Sequence, residues 1–106
     1  MIVRIWHGWA APANADAYEA LLKEEIFTRI GSQRIKGYRG IELLRRQSGE
    51  EVEFITLMRF DTLESVRDFA GPDFEAAVVP PSARVLLSRF DARSQHYELR
   101  EVRAAG

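Results

Sequence analysis

Residues 41–60 read IELLRRQSGEEVEFITLMRF, and they contain two strand-like segments on either side of a turn. The turn is 48–50, Ser-Gly-Glu, a short polar stretch with the glycine that tight turns favour. The second segment, 51–60, is apolar at both sets of alternating positions, which are Val52, Phe54, Met58 and Phe60 against Ile55 and Leu57. This pattern predicts a β-hairpin whose second strand is covered on both faces.

A strand and a helix are predicted before the hairpin. Residues 2–9, IVRIWHGW, are also largely apolar at both sets of alternating positions, so this strand too is expected to be covered on both faces. Pro12 suits the first turn of the helix that follows. The apolar residues of this amphipathic helix recur at steps of three and four: Tyr18, Leu21, Leu22, Ile26 and Ile30.

Helical segments and a final strand are predicted after the hairpin. A helix over 63–70 has a candidate cap in Asp61 or Thr62. A further helical piece is predicted over 73–79, between two breaks that contain proline, and a last strand over 94–102.

The order of elements is β-α-β-β-α-β, which predicts an α+β fold of the ferredoxin-like type, βαββαβ, in a single domain over residues 1–103. In this arrangement an antiparallel sheet carries its helices on one face. The first and third strands would then expose apolar side chains on the other face, over more area than soluble monomers usually leave open. A homodimer with the two sheets packed together is therefore expected.

The composition excludes several classes of function. A net charge of −1 gives no reason to expect nucleic acid as a partner. The chain has no cysteine, which excludes disulfides and zinc-thiolate sites. No apolar run approaches the length needed to cross a bilayer, and no signal peptide is recognisable, so a cytoplasmic protein is expected. No nucleotide-binding motif is present, and no cofactor is indicated.

The chain resembles the antibiotic biosynthesis monooxygenase family along nearly its whole length. The resemblance rests on the order of elements, on the HGW that ends the first strand, and on three segments: KGYRGIELLRRQ (36–47), FAGPDFEAAVVPP (69–81) and SRFDARSQHYEL (88–99). It implies the dimeric α/β barrel fold, with a pocket in each subunit between sheet and helices. Activities in this superfamily include cofactor-independent oxygenation of polycyclic phenols, heme degradation, and isomerase or dismutase chemistry, and some members have no known catalysis.

Comparison with the heme-degrading members of the superfamily argues against that activity. Their first-strand asparagine falls on His7, their tryptophan falls near Phe69, and their heme-ligating histidine falls near Val79. The axial ligand is thus missing, so heme degradation is not expected. The match at His7 implies that the strand face formed by Val3, Ile5, His7 and Trp9 looks into the pocket, with Trp6 toward the dimer barrel.

His7 is the predicted catalytic residue. A neutral imidazole can remove a proton from an acidic phenol, and the electron-rich anion can then pass an electron to oxygen. The alternative is a strand-end histidine that is hydrogen-bonded to a carbonyl group. His96 lies on the last strand and shares a face with Glu98, but the spacing of the histidines does not favour a metal site.

The aromatic residues are the predicted walls of the pocket, although aromatic side chains at such positions also serve simply as core. The predicted substrate-binding residues are Trp9, Tyr18, Phe69, Phe74 and Phe90. The function expected from the sequence is cofactor-independent monooxygenation of a small aromatic or polyketide-like molecule. The competing hypothesis is a non-catalytic dimer that binds a small ligand or takes part in a stress response.

Overall fold

The computed structural model describes residues 1–106, which form one sheet with helices on one side of it. The strands are β1 (Ile2–Ala10), β2 (Tyr38–Ser48), β3 (Glu51–Phe60), β4 (Arg89–Phe90) and β5 (Gln95–Glu98). The helices are α1 (Pro12–Leu21), a π-helical segment (Leu22–Ile26), α2 (Phe27–Ser32), α3 (Leu63–Ala70) and α4 (Pro81–Arg84). None of them combines the length and the apolar character that a membrane span requires.

The sheet is antiparallel, with β1 at its centre. β3 lies on one side of β1 and is flanked in turn by β2, while β4 and β5 both pair with the other side of β1. β4 and β5 therefore act as two halves of a single last strand. The predicted α+β, ferredoxin-like βαββαβ arrangement with helices on one face is confirmed, and so is the hairpin with its turn at 48–50.

The two faces of β1 differ in their burial. Arg4, Trp6, Gly8 and Ala10 lie on the inner face, which packs against the helices, and all four are buried. The other set of β1 residues, which contains His7, lies on the outer face and is only half-buried. The core between sheet and helices includes the fully buried side chains of Tyr18, Phe54, Phe60 and Val66.

The last strand of the sheet is split into β4 and β5 because the residues between them are drawn away from β1. The backbone N–H of Ser94 donates to the carbonyl of Glu75 at 2.7 Å, and that of Ala77 donates to the carbonyl of Ala92 at 2.9 Å. Residues 92–94 thus pair with the segment that precedes α4 and leave one short strand on either side. The strand predicted over 94–102 is reduced to β5.

The helical piece predicted over 73–79 is wrong. Its carbonyl groups are taken by partners from elsewhere in the fold: the guanidinium of Arg4 donates to the carbonyls of Phe74 and Ala76, and Ser94 donates to that of Glu75. A helix needs these carbonyls for its own backbone bonds. The prolines at both ends of the segment further limit helix formation.

The first helical region changes its winding in the middle. Tyr18, Leu22, Ile26 and Ile30 are each four residues apart, and all are buried on the sheet side. In a regular α-helix each four-residue step overshoots one turn by about 40°, so the fourth of these side chains would rotate away from the sheet. The π-helical segment Leu22–Ile26, with a bond from the N–H of Phe27 to the carbonyl of Leu22, widens the turn and offsets this drift.

The start of α3 is capped by Thr62, one of the two residues predicted for this role. The hydroxyl of Thr62 accepts a hydrogen bond of 3.1 Å from the backbone N–H of Ser65. The other candidate, Asp61, instead pairs with Arg39. The cap satisfies one of the free N–H groups at the helix start.

Candidate functional site

A cavity lies between the inner face of the sheet and the helices. Its volume is about 60 Å³, and about 490 Å³ when the space at its open side is counted. Twelve of its 16 lining residues are hydrophobic. The lining residues are Arg4, Trp6, Tyr18, Leu22, Ile26, Phe27, Ile30, Ile41, Thr56, Met58, Phe69, Val78, Val79, Pro80, Ala83 and Ser94.

The π-helical segment helps to form this cavity. Leu22 and Ile26 stand at its two ends, and both line the cavity. Single turns of π-helix occur frequently at functional sites, where they adjust the position of side chains. The local winding thus supports this cavity as the functional site of the domain.

Two of the five predicted aromatic wall residues line the cavity. They are Tyr18 from α1 and Phe69 from α3. Tyr18 also packs edge-on against Phe54, with ring centroids 4.9 Å apart, and burial raises the pKa of its hydroxyl. This phenol therefore stays protonated at neutral pH and can act as a hydrogen-bond donor to a ligand.

The other three predicted wall residues, Trp9, Phe74 and Phe90, do not line the cavity. Trp9 lies on the outer face beneath the guanidinium of Arg89, 3.8 Å from the ring centroid. Phe74 packs edge-on against His96, and Phe90 packs against Trp6. The structure does not bring these three side chains into the cavity, because each is held against another side chain.

The predicted orientation of His7 toward the pocket is also wrong. The even-numbered residues of β1 face the helices, so Trp6 lines the cavity and His7 lies on the outer face. Nδ1 of His7 is 3.0 Å from a carboxylate oxygen of Glu53, whose other oxygen accepts from Nε of Arg46 at 2.7 Å. These two partners lower the pKa of Glu53, first through the hydrogen bond from Arg46 and then through that from His7.

Trp6 is positioned by contacts on both sides. Its indole N–H donates to the carbonyl of Asp91 at 2.8 Å, in the stretch that separates β4 from β5. Gly8 leaves the room that the ring occupies, since a Cβ at Gly8 would lie 2.7 Å from Cη2 of Trp6. In the HGW sequence, Gly8 therefore lies between two residues of the outer face, His7 and Trp9. Its lack of a Cβ leaves room on the inner face for the ring of Trp6.

Arg4 is the polar residue of the cavity that sequence reasoning missed. It is only 3% exposed, although it lines the cavity, and its guanidinium lies 5.5 Å from the ring centroid of Phe69. Burial lowers the pKa of Arg4 to about 10, so it remains charged at neutral pH. The sequence signal was a charged residue in an otherwise apolar alternating set, which occurs at buried strand positions only with special partners.

Two further polar side chains lie beside Arg4. Nε2 of His96 is 3.0 Å from Nη1 of Arg4, and burial, followed by the charge of Arg4, lowers the pKa of this histidine. Ser94 lines the cavity and is 3% exposed, and its hydroxyl has no hydrogen-bond partner. Nδ1 of His96 is likewise buried without a partner.

The cavity does not offer the ligands that a heme or a metal ion requires. Phe69 and Val79 both line the cavity. The tryptophan and the heme-ligating histidine of the heme-degrading members fall near these two positions, but neither phenylalanine nor valine can coordinate iron. No histidine is among its lining residues, and Nε2 of His96 is engaged by Arg4. No group of three or more histidine or carboxylate side chains is placed to hold a metal ion.

No family model matches this chain, and no curated protein matches it either. Likeness appears in three dimensions. A structure from Deinococcus radiodurans with the provisional name antibiotic biosynthesis monooxygenase matches with a TM-score of 0.67 at 15% identity, covering 100% of this chain and 99% of that one. A Bacillus cereus structure with the same provisional name matches with a TM-score of 0.63 at 12% identity over 99% of this chain and 96% of that one.

A heme-degrader from Mycobacterium tuberculosis, solved with two hemes in its active site, is also similar. The TM-score is 0.56 at 19% identity, and the match covers 100% of both chains. At such identities the likeness defines the fold and not the chemistry. The resemblance to the antibiotic biosynthesis monooxygenase family is therefore confirmed at the level of the fold, which this chain shares with these proteins from end to end.

Proposed function

We propose that the chain is a cofactor-independent monooxygenase of the antibiotic biosynthesis type, acting on a small aromatic or polyketide-like substrate in the cavity between sheet and helices. The observation that carries the proposal is the combination in one cavity of apolar walls with a buried charged group, Arg4. The provisional names of the two similar structures support the reaction class. His7 is not part of this proposal, because it lies on the other face of the sheet.

The proposed reaction converts a ring CH₂ group that is activated by a conjugated carbonyl across the same ring into a second carbonyl. The substrate loses a proton to form an enolate, which transfers electrons to molecular oxygen. One oxygen atom becomes the new carbonyl, and the other leaves with the two hydrogens as water, so the substrate supplies every electron. The protein contributes a dry cavity, orientation, and the positive charge of Arg4 near the developing anion.

Oxygen consumption with anthrone tests this function. We expect the protein to accelerate formation of anthraquinone above the rate in buffer, and a cavity-blocking variant, Val78→Trp, to return the rate to that background. Binding of anthrone without acceleration would contradict the catalytic proposal.

That second outcome corresponds to the alternative function, a protein that binds a small aromatic ligand without transforming it. One observation favours this alternative: the cavity lining contains no carboxylate and no imidazole, so no side chain there is a ready base. The proton must then pass to water, and the positive charge of Arg4 would favour this step because it lowers the pKa of the ligand itself. Hemin is a useful negative probe, since we expect no specific shift of its Soret band with this cavity.

We also propose that two copies pack through their outer sheet faces. This face presents the partly buried Ile5, Ile55 and Leu57 together with Leu44 and Tyr97, which are 46% and 55% exposed. A contiguous apolar patch of this kind is typical of an interface. Sheet-to-sheet packing would cover it and leave the helix-covered cavity of each subunit in place.

A further inference from the structure

We infer that Arg4 and Ser94 form an anion-binding subsite in the cavity, which selects aromatic ligands that carry an ionised oxygen, either a carboxylate or an enolate or phenolate. This inference rests on the proposed function in that it assigns the ligand class of the same cavity. It depends on the environment of one buried cation and on one unpartnered hydroxyl.

The charge of Arg4 has no counter-ion within the chain. Eight of the other arginines form ion pairs with carboxylates, whereas Arg4, which is 3% exposed, forms none. Its partners are the carbonyls of Phe74 and Ala76 and the neutral ring of His96. A buried charge is costly unless an opposite charge compensates it, and a ligand anion in the cavity would do so.

The guanidinium also has donors to spare. An arginine side chain carries five N–H groups. Both N–H groups of Nη1 are directed at Phe74 and His96, and one on Nη2 is directed at Ala76. The second N–H of Nη2 and that of Nε have no partner within the chain, so both remain for a ligand oxygen.

Ser94 lies close to Arg4 because both residues donate hydrogen bonds to backbone carbonyls of the segment 74–76. Arg4 donates to the carbonyls on either side of Glu75, and the backbone N–H of Ser94 donates to the carbonyl of Glu75 itself. Both residues line the cavity, and the register of β1 with β5 sets His96, two residues after Ser94, opposite Arg4. The hydroxyl of Ser94 is buried without a partner, a state that native proteins rarely keep without a reason. A ligand oxygen bound at Arg4 would provide that partner.

The apolar lining explains why the anion should be attached to a ring. Phe69 lies beneath the guanidinium of Arg4, and Tyr18, Leu22 and Met58 belong to the same apolar lining. A free inorganic anion would leave this surface uncovered. An aromatic acid would fill the apolar part with its ring and place its charged group at Arg4.

The test compares two probes of nearly equal size, 2-naphthoate and its neutral counterpart 2-naphthalenemethanol, by calorimetric titration at pH 7. We expect the wild type to bind the anion about 10- to 100-fold more tightly, as hydrogen bonds to a charged group predict. Arg4→Met should abolish this preference without weakening the neutral probe. Arg39→Met, which removes an exposed arginine that does not line the cavity, should preserve it.

Ser94→Ala keeps the test decisive if Arg4→Met does not fold. Removing an unpartnered buried hydroxyl should not destabilise the protein, and we expect it to lower the affinity for 2-naphthoate about tenfold. Equal affinity of the wild type for both probes would overturn the subsite and leave the proposed function standing. Binding of neither probe would also overturn it, and oxygen uptake with anthrone then decides separately whether the proposed function survives.

Discussion

Arg4 and His96 face each other across the pair of strands β1 and β5, with Nη1 of the arginine 3.0 Å from Nε2 of the histidine. Because a guanidinium can only donate, Nε2 must accept, which places the single ring proton on Nδ1. The contact exists only while His96 is neutral. Protonation of the ring would bring two positive charges together in a partly buried place.

This contact predicts that stability depends on the protonation of His96. Its pKa lies below the ordinary value of 6.5, first because of burial and then because of Arg4. The unfolded chain then binds the proton more readily, so the contribution to stability is present above pH 6.5 and is lost as the pH falls through the lowered pKa. Urea unfolding should show a steeper decline between neutral pH and pH 5 for the wild type than for His96→Gln. Equal slopes would show that the histidine is not coupled to folding.

Glutamine at position 96 is the suitable control because its amide oxygen can still accept from Arg4 but cannot titrate. Glu75, which acts on His96 in the opposite direction, is retained in both proteins. The comparison of the two slopes therefore isolates the ring of His96 from the many surface carboxylates.

Gly8→Ala tests the support of the tryptophan that lines the cavity. The new methyl group would lie 2.7 Å from Cη2 of Trp6, whose ring is also fixed by the hydrogen bond to Asp91. We expect a loss of about 1–3 kcal/mol in the free energy of unfolding, together with a shifted indole N–H resonance of Trp6. Gly31→Ala, in α2 with no atom near the new methyl group, should instead be neutral or stabilising. An unchanged indole resonance in Gly8→Ala would contradict the packing described.

Val78→Trp tests access to the cavity. Val78 lines the cavity and is 49% exposed, so it lies at the open side, where a larger side chain can cover the entrance without overfilling the core. We expect affinity for 2-naphthoate to fall at least tenfold with little change in stability, by titration and by thermal unfolding. Val85→Trp is the matched control, because Val85 is exposed and does not line the cavity. Equal losses in both variants would argue that the probe binds elsewhere.

Leu44→Glu tests the proposed homodimer. The monomer mass is 12.1 kDa, so sedimentation equilibrium should give twice that value, about 24 kDa, for the wild type. A charge at this half-exposed position costs a monomer little but would be buried against the partner sheet, so the variant should dissociate. Val85→Glu, away from the sheet, should remain dimeric. A wild type that sediments as a monomer would refute the interface.

The architecture was predictable because its strongest signals are local. The hairpin around 48–50 needs only a glycine turn between two apolar strands, and α3 needs only the cap at Thr62 and its apolar spacing. The order of these elements then leaves few topologies open. The comparison with solved structures confirms the one that was chosen.

The faces of β1 were not predictable in the same way. Both of its alternating sets are largely apolar, so alternation alone does not indicate which set meets the helices, and the match at His7 indicated the set that lies on the outer face. Arg4 is buried because carbonyls some 70 residues away along the chain accept its hydrogen bonds. The same long-range contacts prevent a helix at 73–79. Two predictions therefore failed for one physical reason, a partner that no local pattern reveals.

A crystal structure of the protein soaked with 2-naphthoate locates the ligand site most directly. We expect the naphthalene ring between the sheet and the helices, against Phe69, with the carboxylate within hydrogen-bonding distance of Arg4. Electron density for the probe on the outer face beside His7, with the cavity between sheet and helices empty, would contradict the proposal.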